Sequence, residues 1–225
     1  MSRSKRVALY GGTFDPVHDG HLTVARGLLD LLALDEVLFV PAHVAPHKRG
    51  KPPTSPWLRH AMLALATGGE PRMLVSSAEL DAPERPYSVE TVARFKEELG
   101  AGARLFFVMG ADSWGEITTW RDWERLLSMC DHVVVTRPGY ELSFEHVPAN
   151  IRARLVDLRG AVRDRTRRAV EESGPPKIFL SDAASVDVSS TSVRRAAARG
   201  GVESLPVPRA VADYIGKYGL YRDNA

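Results

Sequence analysis

The chain has 225 residues, 44% of them hydrophobic, with 30 basic and 28 acidic side chains for a net charge of +2. That length suits one large or two small globular domains with a sizeable core, and the balanced charge excludes a polycationic surface for nucleic acid or membrane. Cys130 is the single cysteine, so no internal disulfide can form, which fits a reducing compartment.

Val7 to Tyr10 is an apolar run closed by Gly11-Gly12 and reads as a buried strand ending at a turn. The basic stretch Met1 to Arg6 precedes it, but the apolar run is too short for a signal peptide. From Asp19 onward Leu22, Ala25, Leu28, Leu29 and Leu32 recur at helical spacing. No stretch is long enough to span a bilayer, since Asp30, Asp35 and Glu36 break the richest one, and a cytoplasmic protein is expected.

A strand, a glycine-bearing loop and a helix in that order present unpaired backbone N–H groups above the strand, a ready place for an anion. His18 and His21 flank the helix start three positions apart, on one face, and can aim two donors at one phosphate. Gly20 between them removes a side chain that would collide with a bulky ligand. A zinc pair would need further ligands that no local cluster supplies, and two idle histidines at a helix start fit poorly with the glycine-rich loop. A Walker A loop is absent, and Gly100-Ala101-Gly102 is not a dinucleotide fingerprint.

Glu36 to Ala42 reads as a second strand, so the first two strands are parallel with a right-handed crossover. Ligands in such sheets lie beyond the carboxyl ends of the strands, where the Lys48 loop faces the same crevice as His18 and suits a triphosphate. Ser55-Pro56 caps a helix running to Thr67, with Arg59 as a surface residue unless family context says otherwise, and Arg72 to Ser77 is a short strand.

Asp81 to Pro86 is a loop. Tyr87-Ser88 then opens a helix to Leu99 with Ser88 as N-cap, and its unpaired N–H groups can hold a small carboxylate. Arg104 to Met109 is the clearest central strand, with Gly110 and Asp112 at its end. Asp112 can accept from ribose hydroxyls, and Trp120, eight positions later, can stack on an aromatic ring. Trp114 and Trp123 read as packing residues, and Cys130 as a core residue before the next strand, His132 to Thr136.

Arg137-Pro138-Gly139 follows as a turn. From 140 to 176 the chain is rich in arginine (Arg152, Arg154, Arg159, Arg163, Arg165, Arg167, Arg168). A solvated helix face with pairs such as Asp164 to Arg168 is favoured there over a contact surface for an acidic partner. Lys177 to Leu180 returns to strand. Ser189 to Arg194 then caps a helix that ends at Gly200-Gly201, and Ser190, Thr191 and Arg194 make a second anion site, with Arg195 at the surface. Pro208 to Tyr221 is a closing amphipathic helix.

The run GGTFDPVHDGH, Gly11 to His21, resembles the nucleotidyltransferase form of the HxGH motif. VPAHVAPHK is similar to VPxxxPPHK, with Ala45 in place of one proline. Arg59 with Met62-Leu63 resembles RxxML, PYSVETV resembles SYTxxTL, GADSWGEITTW resembles GxD followed by Trp, and VSSTSVR resembles ISSTxIR. In that order they resemble the bacterial nicotinate-nucleotide adenylyltransferases over nearly the whole chain apart from 140 to 176.

The resemblance implies an α/β fold, a Rossmann-like doubly wound parallel sheet with helices on both faces. It would form one domain over 1 to 225, with an insertion-like segment at about 140 to 176 and a helical part from about 189. The implied reaction transfers AMP from ATP to nicotinate mononucleotide, giving nicotinate adenine dinucleotide and pyrophosphate, with Mg²⁺ accompanying ATP and no protein-held metal site. The resemblance assigns His18, His21, Lys48 and Arg194 to catalysis. It assigns Gly11, Gly12, Thr13, Phe14, Gly20, Gly110, Asp112, Ser190 and Thr191 to ATP, and Tyr87, Ser88, Trp120 and Arg137 to the substrate. Partners are then small molecules, with no nucleic acid or membrane and with room for a homo-oligomer. Alternatives are a preference for nicotinamide mononucleotide and a regulatory nucleotide-binding module without turnover. Phosphopantetheine adenylyltransferases and cytidylyltransferases share the first motif, but Trp120, the Tyr87 segment and PHK argue against them.

Overall fold

The structure, a computed structural model, describes residues 4–43, 53–82, 86–136, 142–161, 163–183 and 188–222, with the backbone alone at 163 and 164. Its centre is β1 (Lys5–Gly12), where Arg6 to Tyr10 are all buried. A strand covered on both faces belongs in the middle of a parallel sheet. It pairs in parallel with β2 (Glu36–Pro41) on one side and with β4 (Ala103–Gly110) on the other. Beyond β2 lies β3 (Met73–Val75). Beyond β4 come β5 (Asp131–Val135), β7 (Ile178–Ser181) and the edge strand β6 (Leu155–Asp157). All of these pairs are parallel.

The period-two alternation of side chains divides the core. Ala8 and Tyr10 of β1 with Phe106 and Val108 of β4 face one layer, while Val7 and Leu9 with Leu105, Phe107 and Met109 face the other. The first layer is α1 (Asp19–Leu31), α2 (Pro56–Thr67), α7 (Arg163–Glu171), α8 (Ser190–Ala198) and α9 (Arg209–Tyr218). The second is α3 (Ser88–Leu99), α4 (Ala111–Gly115), α5 (Trp123–Met129) and α6 (Ala149–Arg152). The fold is a Rossmann-like, doubly wound parallel sheet. Strand order reverses between β1 and β4, whose pairing of Tyr10 with Val108 brings Gly12 and Gly110 level, and ligands of such sheets bind at this switch point.

Within the basic stretch after residue 141 the chain returns to the sheet as β6 and docks on α4. The Trp114 Nε1–H donates to the Ser143 carbonyl at 3.3 Å, and His146 Nε2 lies 2.9 Å from the Trp114 carbonyl oxygen. Its arginines are largely engaged within the chain: Arg152 with Val147, Arg154 with Leu127, Arg159 with Asp157 and Arg167 with Glu171. The Asp164 side chain, half of the expected Asp164–Arg168 pair, lies outside the described side chains. The seventh strand went unseen in the sequence because Leu155 and Val156 are two apolar residues among arginines, too few to set a period.

Candidate active site

The β1 end, the loop after it and α1 form the first half of the site. His18 is the N-cap of α1 in extended conformation, and its N–H donates to His21 Nδ1 at 3.2 Å. The two rings stack with centroids 3.7 Å apart, and His18 is almost fully buried. Because His21 Nδ1 accepts, the neutral ring carries its proton on Nε2, so the helix cap itself fixes the tautomer. Gly20 makes room for this stack: a Cβ there would lie 3.0 Å from His18 Nδ1. The space it keeps open is occupied by the His18 ring.

Phe14, at φ +49, turns its ring into the core beneath His21, with centroids 5.0 Å apart. A Cβ on Gly12 would strike that ring at 2.8 Å, so glycine at 12 and the left-handed turn at 14 belong to one packing arrangement. The Phe14 side chain is therefore a support for His21.

The start of α8 closes on the same loop. The Ser190 hydroxyl donates to the Pro16 carbonyl at 3.0 Å, and Arg194 Nη1 donates to the Asp15 carbonyl at 2.6 Å while Nη2 reaches Thr191 Oγ1 at 3.2 Å. Ser189 caps this helix through the Ser192 N–H. Two segments some 175 positions apart in the chain thus present a histidine pair and a capped helix start with a guanidinium at one place.

On the other side of β1 lies a cleft of about 790 Å³, lined by Gly11, Gly12, Thr13, Asp112, Tyr87, Ser88 and Trp120 among others. Trp120 meets Phe107 edge-on at 6.4 Å, which fixes its ring against the sheet. Trp114 is wholly buried and Trp123 packs against the same core, both as expected. Gly110 ends β4 and is the N-cap of α4. The N-cap of α3 is Tyr87, one residue before the expected Ser88. Glu90 reaches back to the Tyr87 N–H at 2.8 Å, so the donors that this helix start cannot pair internally are those of Ser88 and Val89. Lys48 and Arg137 lie outside the described residues.

A family model described as cytidylyltransferase-like matches residues 9–196. Among curated relatives, a nicotinate-nucleotide adenylyltransferase of Moorella thermoacetica is 36% identical over 99% of this chain and 94% of its own. One from Thermus thermophilus is 38% identical over 96% of this chain and 100% of its own. The chain belongs to the nicotinate-nucleotide adenylyltransferase family, within the cytidylyltransferase-like nucleotidyltransferases. A solved nicotinic acid mononucleotide adenylyltransferase of Plasmodium falciparum shares the fold, with a TM-score of 0.68 at 18% identity over 96% of this chain and 97% of that one.

Three residues that support this adenylyltransferase site carried little signal in the sequence. Arg59 is fully buried, not a surface residue. Its guanidinium donates to the carbonyls of Thr13 (2.5 Å), Ala42 (2.6 Å), Thr54 (2.9 Å) and His43 (3.3 Å), tying the ends of β1 and β2 to α2. Burial lowers its affinity for its proton, while the nearby Asp15 carboxylate raises it. Asp15 accepts from the Tyr221 hydroxyl at 2.8 Å and from the Thr54 N–H at 3.2 Å, and burial followed by Asp15 holds the Tyr221 phenol well above its usual range. The RxxML match pointed to Arg59, whereas Tyr221 is brought in only by the return of the chain end. Within the cleft, Glu79 accepts from Thr91 Oγ1 at 2.8 Å, and burial raises its carboxyl above the usual range.

Proposed function

We propose that this chain transfers the adenylyl group of ATP to nicotinate mononucleotide, giving nicotinate adenine dinucleotide and pyrophosphate. The observation that carries the reading is the joining of two anion sites, His18–His21 and the α8 start with Arg194, on the Asp15–Pro16 loop beside a cleft holding Trp120, Tyr87 and Asp112. The Plasmodium relative, solved with the dinucleotide product, and the names of the curated relatives support the same reaction.

In this reaction the phosphate of the mononucleotide attacks the α-phosphorus of ATP in line, and the bond to the β-phosphate breaks. No protein nucleophile is required. Two anions must approach, so the protein acts by positioning and by donors fixed in advance. His21 donates through Nε2–H to the transferring phosphate, His18 serves the transferring and leaving phosphates with it, Gly20 makes room for the paired rings, and Phe14 packs against the His21 ring. Arg194, Ser190 and Thr191 take the triphosphate, with Lys48 assigned there on its sequence alone. Gly11, Gly12 and Thr13 bring backbone close to the nucleotide, and Gly110 with Asp112 receives ribose hydroxyls. Trp120 stacks on the pyridine, and the α3 start after its Tyr87 cap holds the carboxylate through the Ser88 and Val89 N–H groups, with Arg137 added from the sequence.

Among the described residues no three His, Cys, Asp or Glu side chains converge as a metal cage. Mg²⁺ bound to ATP would keep water and phosphate ligands and would supply positive charge against the phosphates beside Arg194. A cytoplasmic setting suits the use of ATP, and among the described residues no helix is long and apolar enough to cross a membrane.

Pyrophosphate release with Mg²⁺ and ATP, comparing nicotinate mononucleotide, nicotinamide mononucleotide and phosphopantetheine, tests the reading. Turnover with the nicotinate nucleotide is expected. ATP binding with none of the three consumed would remove the enzyme reading in favour of a binding module.

A further inference from the structure

The cleft is lined by three acidic side chains, Glu79, Asp112 and Glu116, and among its described lining residues Arg121 alone is a lysine or arginine. A nucleotide carrying a ring carboxylate meets unfavourable charge here unless a cation offsets it. Arg121 directly follows Trp120, and its guanidinium carbon lies 4.8 Å from the Tyr87 ring centroid, within cation–π range. Among the described residues it makes no hydrogen bond or ion pair. Arg59, Arg104 and Arg194 instead give theirs to carbonyls or carboxylates of the chain. With the guanidinium carbon over the Tyr87 ring, its planar N–H fork can serve a ligand.

The ring it lies over belongs to the N-cap of α3, and Tyr87, Ser88, Trp120 and Arg121 all line the same cleft. A carboxylate there has two acceptor oxygens for the fork, whereas an amide offers one acceptor and an NH₂ that opposes the guanidinium donors. We propose that Arg121 is the side chain that selects the pyridine carboxylate over the carboxamide in this enzyme. The inference rests on the adenylyl transfer proposed above and adds a side-chain determinant to the main-chain donors at Ser88 and Val89.

The test measures kcat/KM for nicotinate mononucleotide and nicotinamide mononucleotide in the wild type, Arg121→Gln and Arg121→Lys. Arg121→Gln is expected to lower the acid-to-amide ratio by roughly tenfold, the size of one charge-assisted contact at a partly exposed site, mainly through KM for the acid. Arg121→Lys keeps the charge without the fork and falls between. Equal losses on both nucleotides would make Arg121 a packing partner of Tyr87 and overturn the inference, as would an unchanged ratio or a wild type that prefers the amide. A wild type inactive on both refutes the proposed reaction itself, and calorimetric titration of nicotinate mononucleotide into wild type and Arg121→Gln then reads Arg121 separately. Equal affinity there also overturns it. Arg121 is exposed, so the melting temperatures of the variants should match the wild type.

Discussion

At the scale of single residues, His21 does two things with its two nitrogens. Nδ1 takes the His18 N–H and closes the first turn of α1, and in the proposed reaction the Nε2–H is the donor to phosphate. Replacing His21 with alanine removes both. The cap is worth about 1 kcal/mol of stability, while a donor aimed at charge developing in the transition state is worth ~3 kcal/mol of barrier. We therefore expect kcat to fall by about two orders of magnitude with KM for ATP changed little. A variant that loses affinity but turns over normally at saturation would exclude this role.

Among the elements, what fixes the site is the fastening of three separate loops to one another. The ends of β1 and β2 and the start of α2 share the Arg59 guanidinium, and the start of α8 is pinned to the Asp15–Pro16 loop by Ser190 and Arg194. Arg59→Met keeps the apolar bulk but leaves four carbonyls without their donor and the Asp15 carboxylate without the opposing charge of Arg59. A loss of about 3 kcal/mol is expected, seen as a fall of about 1 M or more in the urea midpoint. A shift several times smaller would mean that water replaces the guanidinium at little cost.

For the molecule as a whole, acid stability has an identifiable contributor in β5. His132 is fully buried, and burial pushes its imidazole down to about 3, with the Arg154 guanidinium adding to the effect and the Cys130 backbone opposing it. Between that value and the ordinary histidine value near 6.5, the unfolded chain holds a proton that the folded chain does not. Stability is therefore complete above about pH 6.5 and declines as pH falls toward 3, by at most about 1.4 kcal/mol per pH unit from this group. Glu79 acts in the opposite sense, since its raised carboxyl takes up a proton more readily in the folded chain. The difference between wild type and His132→Leu isolates the histidine. Urea unfolding at pH 7 and pH 4.5 should show a smaller acid loss in the variant, and equal losses would rule out His132 as the source.

Legible along the chain were the strand–loop–helix from Val7 to Ala25, six of the seven strands among the described residues, and the order of the motifs. Each rests on local physics: an apolar run, a glycine turn, a helical period, a capping hydroxyl. Arg59 stood out only through the RxxML match, since alone it reads as a surface arginine, and Tyr221 was not legible as a support, because its carboxylate partner lies at the other end of the chain. The same applies to Gly20, whose neighbour proved to be His18, to the N-cap of α3, which fell on Tyr87, and to the edge strand β6. The closure of α8 on the β1 loop and the placing of the Arg121 guanidinium over the Tyr87 ring emerge only in three dimensions. Those contacts join positions tens to hundreds of residues apart, where no periodicity along the chain carries a signal.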